Sequence, residues 1–314
     1  MSTCRCQSYA RATEAAALAT ARWLGRADQE GAEEAAFAAM REILGRLEIS
    51  GRVVMGAEEV GEQIGEGGEE VDLALDPLEG RGVVARGGNG AMSMIAVAEP
   101  GSLLPLPDMY IRKMAVGPRA RGKIDLLASV EDNVRAVAEA YGRTPQDITT
   151  IVLDRPRHHD LIEELRAAGS RIKLIQDGTV TASISAAIRG TNDHLAIGIG
   201  GARQAMLTAA ALRCLGGEIQ AQLWPTARRQ IEAAREAGIE DVERVFTIDD
   251  LAPTELIVAA TGVSNGDLLR GVRFYADSAR THSLVMCTRC NWVRFVDGIH
   301  FRARERRDEV TLLG

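Results

Sequence analysis

Between residues 148 and 215 the chain alternates short apolar runs with amphipathic stretches, and this rhythm restricts the fold more than any other feature. Residues 148–153, 171–175 and 194–199 read as strands. Residues 160–168, 180–188 and 206–215 read as the helices between and after them, and strands separated by helices of this length imply α/β layers. Each strand runs into a polar or glycine-rich turn: Asp154-Arg-Pro-Arg157, Asp177-Gly178 and Gly198-Ile-Gly-Gly201. In an open α/β sheet, ligands bind outside the carboxyl ends of the strands, so the three turns are expected to line one crevice. Arg157 supplies a planar fork suited to an oxyanion, and the glycine run is a candidate nest of backbone N–H groups for phosphate.

A second organising stretch lies earlier, at Val71-Asp-Leu-Ala-Leu-Asp-Pro-Leu-Glu-Gly80. Val71, Leu73 and Leu75 alternate with Asp72 and Ala74 as in a strand with a buried face. Pro77 lacks an N–H and is expected to stop the strand, which fixes Asp76 and Glu79 at its mouth. Two carboxylates three residues apart on a rigid turn suit a hard divalent cation such as Mg2+ or Mn2+.

Composition sets the outer limits. At 314 residues the chain has room for a full core, and with 4% aromatic residues that core must be built from aliphatic side chains. A formal charge of −7 argues against nucleic acid as the main partner. No apolar run approaches the ~20 residues needed to span a bilayer, and no leader-like apolar segment opens the chain, so a cytoplasmic protein without membrane contact is expected. The five cysteines are expected to be free thiols. Cys287-Thr-Arg-Cys290 has the spacing of a zinc knuckle and Cys4-Arg-Cys6 would complete four ligands, but the second pair lacks knuckle spacing.

The carboxylate turn, together with Thr13-Glu-Ala-Ala-Ala-Leu-Ala, Pro107-Asp-Met-Tyr110, Asp154-Arg-Pro-Arg-His158, Asp177-Gly178, Gly198-Ile-Gly-Gly-Ala202 and Ala260-Thr-Gly-Val-Ser-Asn-Gly-Asp-Leu-Leu269, resembles the class II fructose-1,6-bisphosphatases. These belong to the lithium-sensitive sugar phosphatase superfamily. The resemblance implies a layered α/β/α/β/α fold in two subdomains, placed at residues 1–125 and 126–314. It also implies hydrolysis of a sugar bisphosphate, a homo-oligomer, and a metal site at Glu33, Asp76 and Glu79. Tyr110, Arg155, Arg157, Asp177, Gly178, Gly201 and Arg203 are the implied contacts to a phosphorylated sugar.

Departures from the family pattern fall on the same site. One ligand Glu of the family is Ala57 here, and the segment that follows it is missing. Another is Gln204, and the family's Asp-Gly-Asp is Asp177-Gly-Thr179. The threonine that helps to activate water is replaced by Arg81, which cannot accept a proton. The remaining carboxylates are expected to hold at most one ion, and with Arg81 and Arg203 standing in for lost cations the site is open to a metal-independent mode. A repurposed sugar-phosphate-binding paralogue is the alternative reading.

Overall fold

The computed structural model of the protein describes residues 4–56 and 60–301. The chain opens with α1 (Cys6–Thr20) and α2 (Gln29–Leu44), packed on each other. Asp28 caps α2 by accepting a hydrogen bond from the Gly31 N–H at 2.9 Å, and Ala32, Ala36, Met40 and Leu44 form its buried face. Thr13 reads as a helix cap in the sequence but lies in the middle of α1. Its hydroxyl donates to the Ala10 carbonyl and meets Thr261 Oγ1 at 2.8 Å, so contact with the sheet beneath fixes this residue.

Next come β1 (Ile49–Met55), β2 (Gln63–Ile64), β3 (Glu69–Glu79), the short α3 (Arg81–Arg86) and β4 (Met92–Ala98). A second group follows: β5 (Tyr110–Val116), α4 (Val130–Tyr141), β6 (Thr149–Leu153), α5 (His159–Ala167), β7 (Arg171–Ile175) and α6 (Thr179–Ala187). It continues with β8 (Leu195–Gly201), α7 (Ala202–Leu215), β9 (Glu218–Trp224), α8 (Arg228–Glu236), β10 (Val245–Thr247) and α9 (Ile248–Leu251). The last strands are β11 (Leu256–Gly262), β12 (Arg273–Phe274), β13 (Ser278–Cys287) and β14 (Trp292–Phe301).

These strands form two mixed sheets. The first has eight strands in the order β12-β13-β11-β4-β3-β1-β2, with β14 also paired to β13; the second has six in the order β10-β9-β5-β8-β6-β7. A linear division near residue 125 assigns the last four strands to the C-terminal part, yet they lie in the first sheet, where β11 runs antiparallel to β4. Helices α1 and α2 cover the outer face of that sheet. Helices α6 and α7 sit between the sheets, and α4 and α5 cover the far face of the second.

The result is the layered α/β/α/β/α order expected from the sequence. Its middle layer explains the alanine content. A helix held between two sheets must be apolar nearly all round, and Ala202, Ala205, Ala209, Ala210 and Ala211 of α7 are all buried. Small side chains there let both sheets close on the helix. No described helix is long and apolar enough to cross a membrane.

Candidate active site

Pro77 does not end β3. Pairing with β4 runs to Asp76 opposite Met94, skips, and resumes at Glu79 opposite Met92. The bulge places Pro77, which has no N–H to give, where the ladder needs none. Gly80 follows in the left-handed region at φ 90°, packed against Ala91, and turns the chain into α3.

The bulge directs Glu79 into the space between the sheets, where it is 5% exposed. Its carboxylate accepts hydrogen bonds from the Val180 and Thr181 N–H groups and, at 2.6 Å, from the Thr181 hydroxyl. It thereby caps α6 across the layer boundary, with negative charge at the positive end of the helix. Burial pushes the Glu79 pKa up against those hydrogen bonds.

Asp76 is half-buried at the mouth of β3. Burial, the neighbouring Glu79 and, more weakly, Glu33 and Asp177 push its pKa up to about 8, against a hydrogen bond with the Gln204 amide. Three other carboxylates thus act on Asp76 at once, and the cationic groups near them have partners within the protein. Arg81 Nη1 donates to Glu33 Oε2 at 2.9 Å, which together with the field of Asp177 and Asp76 raises the arginine pKa. Arg203 Nη1 donates to the Gly56 carbonyl at 2.8 Å. The expectation that these two arginines replace cations at a phosphate finds no support in these contacts. Ala57, Glu58 and Glu59 lie outside the described residues.

The other turns meet this cluster at its edge. Asp177 Oδ1 accepts from the Gly178 N–H at 3.0 Å, and Gly178, at φ 88°, leads into α6. Gly201 stands opposite Tyr110 in the β5–β8 register, beneath the Gln204 side chain. The Arg157 guanidinium lies 4.8 Å from the Tyr110 ring centroid and donates to the Ile199 carbonyl. Arg155 donates to the carbonyls of Asp154 and Gln176, which ties the ends of β6 and β7 together. A cleft of about 530 Å³ opens beside the cluster, lined among others by Asp177, Gly178, Thr181 and Arg86. Asp76 and Glu79 do not line it; they stand behind the α6 end that forms its wall.

Three residues that sequence reasoning passed over belong to the site. Lys113 is buried in β5 between Ile111 and Ala115, on the face turned towards the middle helices. Its Nζ donates to Thr179 Oγ1 at 3.0 Å and to Thr208 Oγ1 at 3.4 Å. Burial lowers its pKa to about 8 against the pull of Glu79. The signal available in the sequence was a lysine in phase with two apolar residues of a strand. Thr181 became visible only once Glu79 reached α6. The third is His158, fully buried, with Nδ1 against the Leu153 carbonyl at 2.8 Å and Nε2 accepting from the Ile199 N–H at 2.8 Å. It locks the glycine-rich end of β8 to the Arg155–Arg157 turn.

A five-layered α/β/α/β/α fold with an acidic bulge at a strand mouth, facing the N-terminus of a buried helix, defines a sugar-phosphatase fold. The family model described as bacterial fructose-1,6-bisphosphatase, glpX-encoded, matches residues 5–300, and the chain belongs to that family. It is 40% identical to the D-fructose 1,6-bisphosphatase class 2/sedoheptulose 1,7-bisphosphatase of Synechococcus sp. (strain JA-3-3Ab), covering 92% of this chain and 93% of the relative. A protein of the same description from Crocosphaera subtropica is 38% identical over 95% of this chain and 96% of its own length. One from Acaryochloris marina is 36% identical over 96% of both. The family is one of divalent-metal-dependent phosphatases, and the protein is an enzyme of that hydrolase class. The reading as a repurposed binding paralogue finds no support in these likenesses.

Proposed function

We propose that the protein releases phosphate from a sugar bisphosphate, with fructose 1,6-bisphosphate and sedoheptulose 1,7-bisphosphate as the substrates its relatives' names suggest. The observation that carries this reading is the acidic surroundings of Asp76, whose pKa is pushed up to about 8 by burial first and then by the charges of Glu79, Glu33 and Asp177. A divalent cation would relieve that repulsion. As placed, the oxygens of Asp76, Glu33 and Glu79 do not converge closely enough to share one, and Glu33 is paired with Arg81, so taking up an ion requires Glu33 to leave that pair. Such an ion, Mg2+ or Mn2+, neutralises phosphoryl oxygens and lowers the pKa of a bound water. Asp76, Glu33 and Glu79 supply the charge that would hold it. With Gln204 neutral, they suit one ion rather than two.

The proton of the attacking water has a path that needs no ion. Arg81 accepts no proton, but Thr181 lines the cleft and its hydroxyl donates to Glu79, so the lone pairs of that hydroxyl are the acceptor assigned to the water proton. As the water oxygen bonds to phosphorus and the phosphorus–sugar oxygen bond breaks, the water proton passes to Thr181 Oγ1 and the hydroxyl proton passes to Glu79. The sugar oxygen leaves with a proton from solvent. Gly178 lines the cleft, and Arg157, Arg155 and Tyr110, with the backbone at Gly201, have the chemistry that suits the second phosphate and the sugar hydroxyls.

Phosphate release from both bisphosphates and from the matching monophosphates, with Mn2+ or Mg2+ present, tests the reading. Turnover of a bisphosphate is expected. Thr181→Val is expected to lose about 100-fold or more, as removal of a general base does, while Thr181→Ser retains most activity. Tight binding of the bisphosphates without release would favour the binding paralogue instead.

A homo-oligomer in the cytoplasm is part of the same proposal. Its support is the exposed apolar face of the edge strand β14, where Val293 and Phe295 are 42% and 49% accessible. A monomer mass by light scattering would contradict the assembly.

A further inference from the structure

The first and last described segments bring four cysteines to one point. β13 ends at Cys287, the chain turns through Thr288 to Asn291, and β14 leaves from Trp292 paired with Cys287. Asn291 takes φ 51°, and its N–H closes the turn on the Thr288 carbonyl at 3.1 Å. Within this turn the Cys290 N–H donates to Cys287 Sγ at 3.3 Å, the backbone-to-sulfur bond that orients a thiolate towards a metal. At the other end of the chain, Cys4 and Cys6 sit where α1 begins.

Cys4 Sγ lies 3.6 Å from Cys287 Sγ, and the four Sγ atoms all lie within 4.8 Å of one another. Among the described residues this is the one group of three or more such side chains close enough to share an ion. We propose that Cys4, Cys6, Cys287 and Cys290 form a closed tetrahedral thiolate site for a structural Zn2+ ion, separate from the phosphatase centre.

The spacing decides between the uses of four cysteines. Zinc–sulfur bonds of about 2.3 Å at tetrahedral angles set sulfurs about 3.8 Å apart. Disulfide bonding needs about 2.0 Å, and all five cysteines of the chain are free. A four-iron cluster spreads its cysteines more widely than this. Cys6 and Cys287 are 3% and 1% exposed, so water cannot satisfy them, and Cys4 and Cys290 close the outer side.

Four thiolates around Zn2+ carry a net double negative charge. Arg289, next to Cys290, interacts electrostatically with Cys4 while hydrogen-bonded to Glu255, and Arg5, between Cys4 and Cys6, is paired with Glu48. On binding, each sulfur gives its proton to solvent. The ion would join positions 283 residues apart, tying α1 to the last hairpin of the first sheet.

The test uses the full-length protein purified under reducing conditions without chelator. Elemental analysis is expected to find about one zinc per chain. Cys214→Ser, outside the cluster, should keep the metal, and Cys290→Ser should lose most of it. Should the serine variant fail to fold, cobalt replaces it: wild type stripped of metal and loaded with Co2+ should show the thiolate charge-transfer and strong d–d absorption of a tetrahedral sulfur site. Stoichiometric iron in the isolated protein would overturn the proposal. So would a protein that carries no metal after growth with added zinc and gives no such cobalt spectrum.

Discussion

At the scale of single residues, the site is a set of ionisable groups held away from their ordinary states. Asp76, with a pKa of about 8 in the folded chain against 3.8 for a free side chain, keeps a proton that the unfolded chain has lost. Its contribution to stability is full below about pH 4 and is lost as pH rises through 8. Lys113 works in the other direction. Its pKa is lowered from 10.5 to about 8, so the unfolded chain binds the extra proton, and stability rises between those values. The ion-free protein should therefore show a stability minimum near pH 8 in urea unfolding. Asp76→Asn should make the falling limb below that pH shallower, the raised pKa of Glu79 keeping part of it, and leave the rising one. A minimum that persists at the same depth in the variant would show that Asp76 does not cause it. Divalent cations should bind more tightly as pH approaches 8, because the ion displaces the Asp76 proton.

At the scale of elements, Glu79 is the clearest case of one side chain joining two layers. It satisfies two N–H groups and one hydroxyl at the start of α6 from a bulge in β3. Glu79→Ala leaves those buried donors unpaired and should cost on the order of 2–3 kcal/mol in chemical unfolding, more than Glu79→Gln. Equal stability in all three proteins would contradict the cross-layer cap. Much of the element pattern was legible in advance: β7 and the order of strands and helices from β6 to α7 follow from local periodicity. The bulge was not, because Pro77 signals a break in pairing and nothing local indicates that the ladder resumes at Glu79. The partners of Glu33 and Arg203 were equally hidden. Arg81 and Gly56 are distant in sequence, and only the packing of α2 on α3 and of α7 near the end of β1 brings them close.

At the scale of the molecule, the first and last described strands share one sheet, and the path between them builds the other. No local pattern announces the return of β11 to lie beside β4, since each strand is apolar enough to pair with many others. The same return unites Cys4 and Cys6 with Cys287 and Cys290, which as separate motifs carried little weight. It also holds the acidic bulge of the first sheet against the helix end that leads from the second, and on that juxtaposition the proposed chemistry depends. Turnover of fructose 1,6-bisphosphate by wild type and Asp76→Asn, measured after chelation and again after Mn2+ is restored, tests this most directly. Wild type should lose about 100-fold or more without the ion and recover with it, and Asp76→Asn should stay low in both conditions. Brisk turnover by chelated wild type, or by Asp76→Asn at the wild-type rate, would contradict a cation-dependent phosphatase centred on Asp76.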